Sequence, residues 1–169
     1  MADWTIEPFG KDHDRSTFAC EKPSLDEFLR TRVSRYEKRR LGKTFVAVSE
    51  GEKRVIGYCP LAAGALMFEH LPTEASRKLP KHPVPVILLA RLAVDQSAHG
   101  KRLGEGLLLD ALQRSLDLSD NLRTHAVEVD ALDDSAIAFY RKYGFSPLLD
   151  NPKHLYLPLV TIGKVLGAD

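Results

Sequence analysis

The apolar positions of this chain alternate between strand-like and helix-like spacings, and that pattern lays out the elements in order. "DWTIEPF" (3–9) predicts a short first strand. In "KPSLDEFLRTRVSRYEKRR" (22–40), Leu25, Phe28, Leu29 and Val33 make one helical stripe, and Tyr36 falls on the same side. Ser24 with Glu27 three residues on predicts the N-cap and capping box of that helix, and Gly42 predicts its stop. Two β-rich runs in 43–68 flank the turn "SEGEKR" and predict a hairpin. A proline-bounded connection follows, with room for a short helix. "VPVILLARLAVD" (84–95) is almost wholly apolar and predicts one central strand buried on both faces. A helix over about 104–118 follows, then a strand in "RTHAVEVDAL" (123–132). "DDSAIAFYRKYG" (133–144) predicts a helix capped by an aspartate and stopped by Gly144, and "HLYLPLVTI" (154–162) predicts a last strand. No repeat, low-complexity tract or linker interrupts the order, so the expectation is one α/β domain over 1–169 with a mixed sheet flanked by helices.

Composition narrows this little. Of the 169 residues 44% are hydrophobic, which suits a packed core and argues against bulk disorder. No apolar run reaches the length of a membrane span, and the N-terminal stretch lacks a secretory core. Cys20 and Cys59 stand apart from each other and from any histidine cluster. They read as small core residues of a protein in a reducing cytoplasm, with no metal site.

Charge changes the picture in one place. The net charge is +1, yet 30–43 carries Arg30, Arg32, Arg35, Lys38, Arg39, Arg40 and Lys43 against Glu37 alone. Such a cluster meets phosphates, or it is a solvated helix face whose last charges suit the helix dipole. Both readings stand at this point.

The strongest local signal is "HGKRLGEGLLLDAL" (99–112). A strand that runs through a glycine turn into a helix presents unpaired backbone N–H groups and the positive end of the helix dipole, which suits a pyrophosphate. Lys101 and Arg102 add charge. The spacing is neither a Rossmann fingerprint nor a Walker loop. A second signal lies in "AIAFYRKYGF" (136–145), where Tyr140 sits late in a helix after a strand. A phenol with a pKa of about 10 is a competent proton donor to a thiolate whose conjugate acid has a pKa of about 8.5. Tyr143 reads as a packed aromatic.

Together, "LARLAVDQSAHGKRLGEGLL" and "DDSAIAFYRKYGF" resemble the GNAT superfamily of acyl-CoA-dependent N-acyltransferases. The resemblance covers nearly the whole chain in element order. It implies a central mixed β-sheet flanked by helices, with a splayed central strand that binds acyl-CoA. The family's pyrophosphate loop has the pattern Arg/Gln-x-x-Gly-x-Gly/Ala. Here His99 stands at the first position, Arg102 replaces the middle glycine, and Gly104 is kept. The segments "FACEKPSLDEFL", "KTFVAV" and "VIGYCPLAAGAL" are similar to the TacT/AtaT-type toxin branch, whose members acetylate the α-amine of charged tRNA and pair with ribbon-helix-helix antitoxins.

The resemblance implies acetyl-CoA as cosubstrate and Tyr140 as general acid. It places Leu92, Ala93 and Val94 on the acetyl-CoA strand, and His99, Gly100, Lys101, Arg102, Leu103 and Gly104 around the pyrophosphate, with Asp134 as a further cofactor contact. It turns Arg30, Arg35, Lys38, Arg39 and Arg40 into candidates for tRNA contact, and it allows a homodimer.

Chemistry agrees with an α-amine acceptor. With a pKa of about 7.7–8.0 such an amine is partly neutral near neutrality, whereas a lysine at about 10.4 needs a base. The central strand holds no carboxylate. Asp95 at its end reads as a turn cap, and Glu128 and Asp130 are open either as bases or as surface groups. A backbone N–H near Ala93 or Val94 would meet the thioester oxygen. An acetyltransferase for a small or protein amine, and a CoA-fold binding protein without turnover, remain the alternatives.

Overall fold

The apolar run 84–95 does not form one strand. In the computed structural model, which describes residues 3–166, β4 (Val84–Leu89) ends, three residues intervene, and β5 (Ala93–Val94) follows. Both pieces lie beside β3, but only β4 also pairs, in parallel, with β6, whereas β5 pairs antiparallel with β3 at Gly57 and Tyr58. Hydrophobicity alone does not reveal such a break, because both pieces are apolar and β-prone. Eight strands form a mixed sheet in the order β1-β2-β3-β4-β6-β8-β7, with β5 off this path on β3. The chain divides into two compact units, Met1–Ala62 with Ala90–Ala111, and Ala63–Leu89 with Leu112–Asp169.

In the first unit β1 (Trp4–Pro8) runs antiparallel to β2 (Lys43–Ser49), and β2 to β3 (Val55–Leu66). Their alternating positions bury Val46, Val48, Val55 and Tyr58 against Phe18, Phe28, Leu29 and Val33. The helix expected over 22–40 is α1 (Pro23–Glu27), a π-helical turn (Phe28–Arg32) and α2 (Val33–Lys38). Its start differs from expectation. Pro23 occupies the first turn, Lys22 is the cap without a side-chain bond, and Ser24 lies inside the helix. Proline presets the helical φ, so the helix opens two residues early. The chain before it is held by Asp26, which accepts from the Cys20 N–H at 2.8 Å.

The stop also differs. Arg40 takes the left-handed conformation at φ +58, and the Leu41 N–H donates to the Tyr36 carbonyl at 3.1 Å. Gly42 serves packing instead: a Cβ there would lie 2.3 Å from the Tyr36 hydroxyl. The helix α4 (Leu103–Leu118) begins in this unit, and Gly57 of β3 makes room for it. A Cβ on Gly57 would meet Leu107 at 2.8 Å.

In the second unit β6 (Ala126–Asp130) pairs with β4 and with β8 (His154–Pro158), and β8 with β7 (Ser146–Pro147). A core of Leu66, Leu71, Val84, Val86, Ala126, Leu148 and Tyr156 forms on one face. The short helix in the proline-bounded connection is α3 (Thr73–Ser76). The helix α5 (Asp134–Lys142) has Asp133 as N-cap, accepting from the Ala136 N–H at 2.9 Å, and Gly144 just past its end at φ +98.

The expected last strand 154–162 is strand only to Pro158. Residues from Leu159 form α6 (Leu159–Leu166), which buries Leu159 and Ile162 one turn apart. Proline cannot donate to a ladder, and the apolar spacing after it suits a helix face, which outweighs the β preference of Val160 and Thr161. Among the described residues no helix is long and apolar enough to cross a membrane.

Candidate active site

The break in the apolar run exposes backbone. The Asp95 N–H donates to the Ile56 carbonyl at 2.8 Å, and Val94 lies opposite Gly57. Bonded and non-bonded pairs alternate along an antiparallel ladder. Asp95 is therefore in a bonded pair, Val94 in a non-bonded one, and Ala93 in a bonded pair with Tyr58. Of the two expected oxyanion donors, Val94 is the one whose N–H points away from β3. Its carbonyl points outward too, and it lies 2.8 Å from Nε2 of His99. A carbonyl only accepts, so Nε2 carries the proton.

That contact sets the role of His99. Its ring braces the turn against β5, and Nδ1 stands 3.7 Å from Glu21. A 3₁₀ turn (Gln96–Ala98) precedes it, capped by Asp95, which accepts from the Ser97 N–H at 3.0 Å, the Ser97 hydroxyl at 2.5 Å and the Ala19 N–H at 2.8 Å. Burial alone would raise the Asp95 pKa. The bonds from Ser97 and Ala19 and the charge of Arg54 outweigh it, and the net shift is downward. Asp95 caps the turn, as its place in the sequence implied.

Beyond His99 the backbone turns left-handed twice, at Gly100 (φ +79) and Arg102 (φ +63). A Cβ on Gly100 would meet nothing within 4 Å, so the cradle is open at that point. Arg102 takes the left-handed conformation that glycine takes freely. Leu103 buries its side chain in the core and offers only backbone, while Lys101 and Arg102 are exposed. Gly104 lies in the first turn of α4, whose first N–H groups lack intrahelical acceptors. Leu92 is half-buried in the gap between β4 and β5. This set of outward donors and an open left-handed turn at a helix start fits the phosphates and amide arm of an acyl-CoA.

Tyr140 is buried in the last part of α5, with its ring against Phe139 at 5.3 Å and Phe145 at 5.5 Å between centroids. The C-terminal turn is closed by the Phe145 N–H on the Tyr140 carbonyl at 3.2 Å, which holds this residue's backbone in place. Asp134 is exposed in the first turn of the same helix.

Comparison with known proteins identifies the architecture. Residues 2–145 match the Acetyltransferase (GNAT) family. The chain belongs to that family. Among its relatives is a protein of Mycobacterium tuberculosis named tRNA-acetylating toxin, 37% identical over 154 residues, which are 91% of each chain. A crystal structure of a tyrosine-to-phenylalanine mutant of KacT superposes with a TM-score of 0.92 at 27% identity over 97% of this chain and 99% of that one. AtaT in complex with acetyl-methionyl-tRNAfMet superposes at 0.90 with 28% identity, again over 97% and 99%. An AtaT mutant bound to acetyl-CoA and the C-terminus of the antitoxin AtaR superposes at 0.85 with 26% identity over 98% and 99%.

The GNAT frame puts the remaining candidates in context. Four cations of the basic segment, Arg35, Lys38, Arg39 and Arg40, are exposed and make no ion pair among the described residues. Arg30 differs: its Nε donates to the Phe18 carbonyl at 2.8 Å and its guanidinium lies 3.6 Å from Asp26, so it holds the fold beside the helix. Arg32 pairs with Glu27 at 3.1 Å.

Glu128 is half-buried on β6. Burial raises its pKa, the charge of His154 opposes that and Asp130 adds to it. The exposed Asp130 stands 3.6 Å from His154. Cys20 and Cys59 are buried and unbridged, and burial, first among the causes, pushes both thiols up to about 12. Tyr143 is half-buried with Phe139 at 5.2 Å and Lys142 over its ring, which is a packing role.

Sequence reasoning passed over Arg91. It lies in the gap between β4 and β5 with its guanidinium carbon 4.0 Å from the centre of the Phe28 ring. Its place inside an apolar run was a signal, since a lone cation there needs a reason.

Proposed function

We propose that this acetyltransferase moves the acetyl group of acetyl-CoA onto the α-amine of the amino acid carried by a charged tRNA, and so blocks translation as a toxin. The observation that carries the reading is the match to a tRNA-acetylating toxin across 91% of both chains. The tRNA-bound AtaT neighbour supports it. The chain works in this reading as one catalytic domain.

The chemistry follows from the residues. The left-handed turn at 99–104 and the first turn of α4 hold the pyrophosphate on backbone donors, with Lys101 and Arg102 adding charge and Asp134 a further contact. Leu92 and Val94 hold the amide arm, and Ala93 between them ties the strand to Tyr58 of β3. The neutral α-amine attacks the thioester carbon, its C–N bond forms as the C–S bond breaks, and the surplus amine proton leaves to water. The Val94 N–H meets the thioester oxygen as negative charge gathers there. Tyr140 gives its phenolic proton to the departing thiolate and regains one from solvent. Arg35, Lys38, Arg39 and Arg40 meet tRNA phosphates, and Arg30 contributes less because it is already engaged. The expected partner besides tRNA is a ribbon-helix-helix antitoxin, and a homodimer fits the same reading. AtaT bound to a segment of its antitoxin supports the partner.

The test is incubation of the protein with labelled acetyl-CoA and a pool of charged tRNAs, with free amino acids, peptides and lysine-rich protein as competitors. Label is expected in N-acetyl-aminoacyl-tRNA and hardly in the competitors. Label mainly in peptide or lysine amines, with charged tRNA untouched, would overturn the reading.

A further inference from the structure

Arg91 is a cation without a counter-ion among the described residues. It is half-buried, and among the described residues its guanidinium makes no hydrogen bond and has no carboxylate within ion-pair distance. What fixes it is the ring of Phe28, on whose face it lies at 4.0 Å. Phe28 is itself held: it opens the π-helical turn, is 3% exposed, and stacks on Tyr58 at 5.7 Å. A guanidinium over a ring face keeps its N–H groups free at the rim, where they reach a third partner.

A second unused polar group sits on the same ring. Tyr36 packs edge-on to Phe28 at 5.1 Å, and its hydroxyl has no hydrogen bond among the described residues. Gly42 keeps the space for that hydroxyl, since any Cβ there would collide with it. Burial raises the Tyr36 pKa and the charge of Arg91 opposes the rise, which places the cation's field on the phenol. π-helical turns cost hydrogen-bond geometry and recur where a fold shapes a binding surface. Here the turn carries the ring on which both free groups rest.

We propose that Arg91 and Tyr36, mounted on Phe28, form a subsite for a phosphodiester of the acyl acceptor. The inference rests on the aminoacyl-tRNA reading. In that substrate the amino acid's carboxyl group is esterified and carries no charge, so the anions nearest the reacting amine are the phosphodiesters joining the last nucleotides. A planar guanidinium donates two parallel hydrogen bonds to the oxygens of such a group, and the Tyr36 hydroxyl donates a third. Arg91 is thus a positioning residue: it sets where the amine lies and takes no part in the bond changes.

The test uses two small acceptors made with the amino acid that the wild type prefers, the 3′-aminoacyl esters of adenosine and of cytidylyl-adenosine. Only the second carries a phosphodiester. The wild type is expected to use the dinucleotide ester better in kcat/KM. Arg91→Gln is expected to lower that preference about tenfold or more, through KM, while calorimetric affinity for acetyl-CoA stays within about twofold. Arg91→Lys should restore part of it and Tyr36→Phe should lose less. A merely structural Arg91 would weaken both esters alike, and that result, or a loss confined to acetyl-CoA, would overturn the subsite. A wild type that acetylates neither ester overturns the acceptor reading and the subsite together. A preference unchanged by Arg91→Gln overturns the subsite alone. If Arg91→Gln lacks a cooperative thermal transition, Arg91→Lys and Tyr36→Phe carry the same comparison.

Discussion

One oxygen atom separates Tyr140 from phenylalanine, so its removal tests proton transfer with little change in packing. The ring stays between Phe139 and Phe145, and the backbone closure from the Phe145 N–H is untouched. Tyr140→Phe should slow turnover by about 10²–10⁴-fold, the usual share of a positioned acid, with acetyl-CoA affinity almost unchanged. Tyr143→Phe is the control and should lose little. Steady-state rates with calorimetry on the folded variants decide it, and near-normal turnover of Tyr140→Phe with chemistry rate-limiting would remove the acid role. The same scale explains why neither cysteine enters the mechanism. A thiol pushed up to about 12 is protonated at neutral pH and is a poor nucleophile.

At the scale of the element, the loop from His99 to the start of α4 holds its shape through backbone conformation. Arg102 at φ +63 is the costly position, because its Cβ crowds the carbonyl there. Its ion pair with Glu105 at 3.9 Å is solvent-exposed and offsets little. Arg102→Gly and Arg102→Ala both delete the guanidinium, and only the first relieves the left-handed strain. Urea unfolding should therefore find the glycine variant about 1 kcal/mol more stable than the alanine variant. Equal stabilities, or alanine ahead, would show that the loop does not hold this conformation in solution. The split of β4 from β5 belongs to the same scale. A continuous strand would bury the Val94 N–H in a ladder, and the break leaves it facing outward.

For the molecule as a whole, net charge misleads. A formal value of +1 includes four exposed cations, Arg35, Lys38, Arg39 and Arg40, that make no ion pair among the described residues. Phosphate binding at such a patch releases counter-ions, so affinity falls steeply with salt. Reversing Arg39 and Arg40 to Glu should weaken tRNA binding at low salt and flatten its salt dependence, with acetyl-CoA affinity intact. A filter-binding titration across salt reads this directly. Matching curves for the two proteins would leave the patch as a solvated face.

What this sequence determined by itself is what depends on chain neighbours. Asp133 and Gly144 bound α5 because a cap and a left-handed stop act within four residues. The glycine turn before α4 was readable for the same reason, and so was the place of Tyr140 late in α5. Tertiary structure decided the rest. The run 84–95 splits in the sheet, because β6 pairs only with its first part, while its last two strand residues pair with β3 at Gly57 and Tyr58. Gly42 looked like a helix stop and is a gap for the Tyr36 ring, since the clash it avoids comes from a side chain six residues away. The run after Pro158 looked like strand and became α6, because a helix there buries Leu159 and Ile162 together. Arg91 shows the limit most plainly. Its meaning lies in the face of Phe28, 63 positions earlier in the chain, and only the folded backbone brings a lone cation onto that ring.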